Sequence, residues 1–343
     1  MKQINWGIIG LGAIAAKFAI GFSNTKNAKL LGIASKSEDR LKSFKNDFKI
    51  DQEYCFSDYR DLIKNQNIDI IYIALPTSMH FEWAVKCLKE GKKVLIEKPA
   101  TLNSLEAISI KENFITEDSF CIEAFMYLYH PQIKKTLKLI REGEIGELIS
   151  MESYFGRDIL TKKSFFGFKK RKKMNPENRL YNKKLGGGVI LDLGCYPVSF
   201  SSIIAATISK ESLDKISLFN KKKEIGATGV DIDSYAELKF NDAFSSKIGA
   251  SFIKNLGTQS KIKGSKGELI IEDTWSAQPS KIIIKNNNKE NIIEIENRDN
   301  IYSYEIEAIS KILINKKIEL DFLGLFIDDT IINMKIIDSW MSQ

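Results

Sequence analysis

The sequence predicts an α/β protein of two domains. A parallel-sheet domain covers residues 1–122, and an α+β domain built on a large, mostly antiparallel open sheet covers residues 123–343. Three observations carry this. Short apolar runs alternate with helical patterns up to about residue 122, as a parallel sheet wrapped by helices requires. The first of those runs breaks into glycines where a helix begins. Beyond residue 123 the runs alternate apolar with polar residues and are separated by turn-forming residues, the pattern of antiparallel strands with one covered face.

In the first domain, residues 4–9 are too short and too apolar for a surface helix and suit a strand buried on both faces. Further strands are expected at 29–34, 68–75, 93–96 and 120–123, with helices at 13–22, 38–48, 59–65, 80–90 and 104–113. Gly91 follows the helix at 80–90, where a left-handed cap is expected. In the second domain, a helix at 133–141 and a strand near 147–156 precede a long basic loop and a helix from Gly194 to about Ile208. Strands follow at 234–240, 247–252, 259–263, 268–272, 281–285 and 291–296. Turns at Asn241-Asp242, Gly264-Ser265-Lys266-Gly267 and Asn286-Asn287-Asn288 separate many of them. Two helices, near 303–314 and 323–340, close the chain.

At 343 residues the chain is long for one core, which favours two domains. No apolar run is long enough to span a bilayer, and Met1 to Asn5 lack the apolar stretch of a signal peptide. A cytoplasmic protein with no membrane partner is expected. Cys55, Cys87, Cys121 and Cys195 show no Cys-x-x-Cys spacing, and His80 and His130 are the only histidines, so no metal site and no disulfide framework are expected. The net charge of +7 accompanies a Lys-, Ile- and Asn-rich composition and does not call for nucleic acid. The run from Lys169 to Lys173 fits two readings, a solvated loop or a device that steers an anionic substrate or cofactor.

The glycine loop points to a dinucleotide. Gly10 suits a tight turn, Gly12 lets backbone approach a ligand with no Cβ in the way, and Ala15 keeps the helix close to the sheet. The helix opening at Ala13 and Ile14 then aims its free N–H groups and positive end at a pyrophosphate. The second strand runs out into Ser35 and Lys36, with Arg40 one turn on. A hydroxyl and cations suit the 2′-phosphate of NADP better than the ribose hydroxyl of NAD, although Glu38 leaves NAD possible. At the carboxyl end of the third long strand, Leu75, Pro76, Thr77 and His80 face the ligand crevice; the same letters also fit a capped helix start with a packed histidine. The next strand ends in Glu97-Lys98-Pro99, where the ammonium of Lys98 can hydrogen-bond a substrate hydroxyl or lower the pKa of a neighbouring acid.

These segments recur in series with others. Gly10-x-Gly12-x-x-Ala15, Glu97-Lys98-Pro99, Glu123 to Tyr127 with His130-Pro131, the block from Gly186 to Val198, Gly229-Val230-Asp231 and Gly264 to Gly267 run over essentially the whole chain. Together they resemble the Gfo/Idh/MocA oxidoreductase family, and within it the branch of glucose–fructose oxidoreductase, NADP-dependent xylose dehydrogenase and dimeric dihydrodiol dehydrogenase. The resemblance implies hydride exchange between nicotinamide and a hydroxyl-bearing carbon of a sugar or cyclic polyol. It implies that Lys98 and Tyr196 work as a pair. A free tyrosine has a pKa of about 10, a nearby ammonium favours the phenolate, and Tyr196 can then take or return the hydroxyl proton.

Asp192 lies four residues before Tyr196, so on a helix both face one cleft, where Asp192 would orient the sugar or tune Lys98. The same spacing also fits a helix cap at Asp192 and a core role for Tyr196. The resemblance further makes Arg179 a substrate ligand or a plain loop arginine and gives Glu123 a secondary role closing the cofactor pocket beside the substrate. Gly186 to Gly188 fit two readings, backbone crowding against the cofactor domain or a flexible loop end. Leu128 departs from the pattern, since relatives frequently carry Arg there. A homo-oligomer, dimer or tetramer, through the C-terminal sheet is implied. Two rivals use the same scaffold: a nicotinamide-dependent glycosidase acting by transient oxidation, and a non-catalytic nucleotide- or sugar-sensing regulator.

Overall fold

The computed structural model describes residues 2–163, 169–241, 244–286, 289–297, 300–318 and 322–342. The chain forms two compact units, Met1–His130 with Arg298–Ile331, and Pro131–Asn297 with Ile332–Gln343.

The first unit opens with β1 (Ile4–Ile9), α1 (Ala13–Ile20), β2 (Ala28–Ala34), α2 (Glu38–Phe48), β3 (Cys55–Phe56) and α3 (Tyr59–Lys64). It continues through β4 (Ile70–Ile73), α4 (His80–Lys89), β5 (Lys93–Glu97), α5 (Ser104–Glu112) and β6 (Cys121–Ala124). The expected elements all form here, with ends displaced by at most two residues; the two-residue β3 is additional. β1 pairs in parallel with β2 and β4, and β5 with β4 and β6. All four residues of β4 are fully buried, which is why the run reads as continuously apolar rather than alternating. Local capping fixes where helices start: the side chains of Ser37, Asp58 and Asn103 accept the N–H groups of Arg40, Arg60 and Glu106.

The second unit contains α6 (Pro131–Arg141), β7 (Leu148–Gly156), β8 (Thr161–Lys163), β9 (Lys169–Arg171), α7 (Cys195–Ala206), β10 (Ile216–Ile225), β11 (Asp231–Phe240) and β12 (Phe244–Ser251). It then runs through β13 (Ser260–Gly264), β14 (Gly267–Ile271), β15 (Lys281–Asn286) and β16 (Lys289–Glu294). Eight of these strands form a sheet in the order β10-β11-β12-β7-β13-β14-β15-β16, antiparallel apart from the parallel pair β7–β12. Met151, Ser153 and Phe155 of β7 are buried, whereas Tyr154 between them is only half-buried, so alternation decides the face. Small hydroxyls meet inside the core: Ser201 on α7 bonds Ser246 at 2.7 Å, and Ser153 bonds Ser260 at 2.8 Å.

Two features of this unit depart from expectation. The long basic loop contains the β8–β9 hairpin, and β10 forms over Ile216–Ile225, a lysine-rich stretch with no clear alternation. β10 is an edge strand, where charged side chains are tolerated and discourage pairing with other chains. Asp242, Asn287, Asn288 and the side chain of Lys169, part of the turns and basic run named above, lie outside the described residues. The stretch Lys183–Ala206 proves long and apolar enough to cross a membrane, against the expectation that no run would be; 83% of its most apolar window is buried, as a core helix is.

The chain then returns to the first unit with α8 (Tyr302–Asn315) and β17 (Leu325–Phe326) and ends in α9 (Ile327–Met341). β17 adds an antiparallel edge to the parallel sheet, giving the order β17-β6-β5-β4-β1-β2-β3. The α8 residues Ser310 and Ser303 bond the Trp6 indole N–H and the Gly21 carbonyl at 2.9 and 3.0 Å. The division after residue 122 therefore falls instead at His130, and 298–331 joins the first unit. Nothing in the local pattern of α8 announces this, because its partner residues lie some 300 positions earlier.

Candidate functional site

The turn between β1 and α1 separates two uses of glycine. Gly10 has φ +88°, and an added Cβ would lie 2.7 Å from the Ala74 carbonyl oxygen, so this glycine is required by the fold itself. Gly12 has an ordinary φ of −91°, and a Cβ there would meet nothing within 4 Å. Its bareness serves no contact inside the protein. Gly12 is also the N-cap of α1, with no side-chain cap and no acid in the first turn, so the N–H groups of Ala13 and Ile14 face the same open space. An open, positively polarised helix start is what a pyrophosphate needs, and the residues present fit a dinucleotide.

At the end of β2, Ser35 is buried and its Oγ accepts the Ser37 N–H at 3.1 Å. Lys36 reaches Asp58 at 3.2 Å and lies 5.4 Å from the centroid of the Tyr59 ring. Backbone donation from Arg60 and then the Lys36 ammonium hold the Asp58 carboxyl below its usual range. The guanidinium of Arg40 projects from an exposed position in the first turn of α2. Lys36 thus has beside it a carboxylate, Asp58, that sequence reading missed.

Leu75 and Pro76 lead into a 3₁₀ turn, Thr77–Met79, before α4. His80 is buried, with Nε2 2.8 Å from the Leu75 carbonyl and Nδ1 3.0 Å from the Pro99 carbonyl. It therefore ties the loop after β4 to the loop after β5, the packed-histidine reading. Lys98 follows β5 at a cis Lys98–Pro99 bond, and two buried carboxylates hold its loop. Glu97 accepts the Tyr72 hydroxyl and the Lys98 N–H, the latter at 3.1 Å. Glu123 accepts the Ala100 N–H and the Thr330 hydroxyl, each at 2.9 Å.

Burial pushes the Glu123 carboxyl up to about 7. The Ala100 and Thr330 bonds and the Lys98 ammonium oppose that rise, and Glu97 adds to it. Glu97 and Glu123 are thus supports beneath Lys98 rather than surfaces facing solvent. Leu128 is fully buried in the turn after β6, so no polar group stands there.

In the second unit, one π-helical turn, Ile190–Gly194, precedes α7 and carries Asp192; Tyr196 stands on the first turn of α7. Arg179 Nη1 lies 3.4 Å from Asp192 Oδ1. Tyr196 is 6% exposed, its ring edge-on to Phe155 at 5.1 Å and to Trp275 at 5.4 Å between centroids. The cap of this helix is not Asp192. Asp231 accepts the Ile190 N–H at 2.7 Å, which leaves Asp192 turned toward Arg179.

Two glycines of the block have a cause inside this unit. A Cβ on Gly188, at φ +120°, would sit 2.5 Å from Asp231 Oδ1, and one on Gly187 would sit 2.7 Å from the Arg179 carbonyl oxygen. Burial raises the Asp231 carboxyl even though the backbone N–H groups of Ile190, Asp231 and Val189 favour its ionised form.

Sequence reading singled out Gly229-Val230-Asp231 without a role; its proximity to Gly188 is a long-range fact that no local pattern shows. Trp275, Phe155 and Arg157 were missed altogether. Among the described residues no group of three His, Cys, Asp or Glu could hold a metal ion, and all four cysteines are free thiols.

Comparison with known proteins bears on this geometry. Residues 4–124 match the GFO_IDH_MocA model, described as "Oxidoreductase family, NAD-binding Rossmann fold", and residues 133–270 match the GFO/IDH/MocA C-terminal domain. Trans-1,2-dihydrobenzene-1,2-diol dehydrogenase from Xenopus tropicalis is 27% identical over 293 residues, covering 84% of this chain and 81% of its own. Its Mus musculus counterpart is 26% identical over 289 residues, covering 84% and 79%. Two solved structures share the fold. A 3-ketoreductase from Actinomadura kijaniata, in complex with NADP and TDP-benzene, has TM-score 0.80 and 20% identity, covering 98% of this chain and 97% of its own. An aldose-aldose oxidoreductase from Caulobacter crescentus, complexed with glycerol, has TM-score 0.84 and 17% identity, covering 99% and 96%.

Proposed function

Because the chain belongs to the Gfo/Idh/MocA oxidoreductase family, we propose that it moves hydride between NADP(H) and a hydroxyl-bearing carbon of a sugar or cyclic polyol. The observation that carries this reading is Tyr196 on the first turn of α7, its ring edge-on to the stacked pair Phe155 and Trp275, one turn after an Asp192 that faces Arg179. A phenol held by two aromatic rings cannot swing away, so its proton stays aimed at one point.

When bound, the nicotinamide ring supplies or accepts the hydride. Gly12, Ala13 and Ile14 receive the pyrophosphate, and Ser35, Lys36 and Arg40 receive the 2′-phosphate of NADP. Tyr196 takes the proton of the substrate hydroxyl in oxidation and returns it in reduction. Asp192 and Arg179 hold the neighbouring hydroxyls. Lys98, set in a loop that Glu97 and Glu123 brace, contributes the cation. The relatives and solved structures are named for dehydrogenation, ketone reduction and aldose oxidoreduction, which this reading extends to the present chain.

The test is a screen of aldoses, ketoses, inositols, dihydrodiols and nucleotide sugars with NADP and NAD, followed at the reduced-nicotinamide absorbance band. Turnover with NADP preferred is expected; binding of NADP with no turnover of any member overturns the reading. Self-assembly through the outward face of the eight-stranded sheet, where Tyr154 and Tyr235 stand 6.5 Å apart, belongs to the same proposal, and sedimentation velocity tests it.

A further inference from the structure

Residues 157–184 hold eleven lysines and arginines against two acids, Asp158 and Glu177. This single segment carries more net positive charge than the whole chain, whose balance is +7. It leads directly into Asp192 and Tyr196. Among its described residues, Arg171 pairs with Glu224 at 2.6 Å, Lys172 donates to the Ile159 carbonyl at 2.9 Å, and Arg179 faces Asp192. Lys162, Lys170, Lys173, Lys183 and Lys184 are exposed. Asp158 accepts the Thr161 N–H at 2.8 Å at the root of the hairpin.

Arg157 ties the charge to the phenol. It follows the last residue of β7, where its N–H is fixed on the Ser251 carbonyl at 2.9 Å. Its guanidinium carbon lies 5.8 Å from the centroid of the Phe155 ring, and the same ring has Tyr196 as a neighbour, 5.1 Å away between centroids. A guanidinium thus stands one aromatic ring from the proposed proton-transfer group, beside a hairpin of like charge. Crowded cations repel one another and weaken the fold, a cost that a bound anion offsets and a neutral sugar cannot.

We infer that the substrate carries an anionic group, a phosphate or a carboxylate, held by Arg157 and drawn in by the exposed Lys162 of β8 and Lys170 of β9. The inference rests on the reading of Tyr196 given above and specifies the substrate class of that same site. Arg157 suits the task, since its planar fork matches an oxyanion and stacks on Phe155 at the same time.

Matched substrates provide the test: an aldose, its phosphate ester and its uronic acid, with wild type, Arg157→Glu and Lys170→Glu. The expected kcat/KM is at least about tenfold higher for an anionic member than for the neutral one, with the advantage shrinking as salt rises. In Arg157→Glu that ratio falls by about 10- to 100-fold, mainly through KM. Preference for the ester identifies phosphate as the group held, and preference for the acid identifies carboxylate. If Arg157→Glu does not fold, the same ratio is read in Lys170→Glu, where a smaller drop is expected. Equal kcat/KM for charged and neutral members, or a ratio unmoved by the charge reversals, overturns the inference and leaves the oxidoreductase reading standing. The matched set is built on a sugar that the wider screen finds to be turned over, and no turnover of any member of that wider screen overturns both.

Discussion

Asp231 accepts the backbone N–H of Ile190 across 2.7 Å, and this bond fixes the start of the helical segment that carries Asp192 and Tyr196. Replacing Asp231 by Ala leaves that N–H buried without its acceptor, at roughly 1–3 kcal/mol in stability. Asp231→Asn keeps an acceptor and should recover most of kcat, which a merely volumetric role would not require. Gly188→Ala, with its methyl 2.5 Å from Asp231 Oδ1, should resemble Asp231→Ala. Thermal denaturation with steady-state kinetics reads all three.

The two glycines of the first turn should separate folding from binding. Gly10→Ala forces a side chain into φ +88° against the Ala74 carbonyl and should lower stability by about 1–3 kcal/mol. Gly12→Val has open space for its side chain within the protein, so thermal stability should hold while NADPH affinity falls by about tenfold or more. Calorimetric titration beside thermal melts checks both.

Glu123 should give the protein a pH dependence of known sign. Below its ordinary value of 4.5 the carboxyl is protonated in folded and unfolded chains alike. Between there and about 7 the unfolded chain has released the proton that the folded chain still holds. Stability therefore falls as pH rises through that window, and the penalty is constant above it. Glu123→Gln, which can still accept from Ala100 and donate to Thr330, lacks this contribution. The wild type should lose stability relative to the variant by on the order of 3 kcal/mol between the two ends. Melting temperatures of both proteins across the range decide it.

Lys36 should decide between the two dinucleotides. Lys36→Ala should weaken NADPH binding more than NADH binding, because only the 2′-phosphate uses the ammonium. Asp58→Asn frees that ammonium from its 3.2 Å partner and should shift preference further toward NADPH. Fluorescence titrations of both reduced cofactors check the ratio.

Much of this was legible in the sequence where the cause is local. The α/β first domain follows from apolar runs and glycine punctuation, and the antiparallel sheet from alternation and turn residues. The family follows from motifs spread along the chain. What escaped depends on distance. The return of α8 and β17 to the first sheet, the bond between Ser310 and Trp6 and the support of Glu123 by Thr330 join residues 200 or more positions apart. The site behaved similarly. Gly12 could be singled out by residue type and spacing, and Asp192 and Tyr196 through the family resemblance. Asp58 beside Lys36 and Asp231 beneath Gly188 are neighbours only once the backbone is folded. His80 was ambiguous between ligand and packing because both readings use the same letters, and two carbonyl partners assign it to packing.

The most direct test of the account is single-turnover kinetics of Tyr196→Phe with saturating NADP(H) and a substrate found in the screen. Removing one hydroxyl leaves the contacts with Phe155 and Trp275, so the rate of nicotinamide conversion should fall by about 10²- to 10⁴-fold while NADPH affinity is kept. A rate within a few-fold of wild type would contradict the assignment of proton transfer to this phenol.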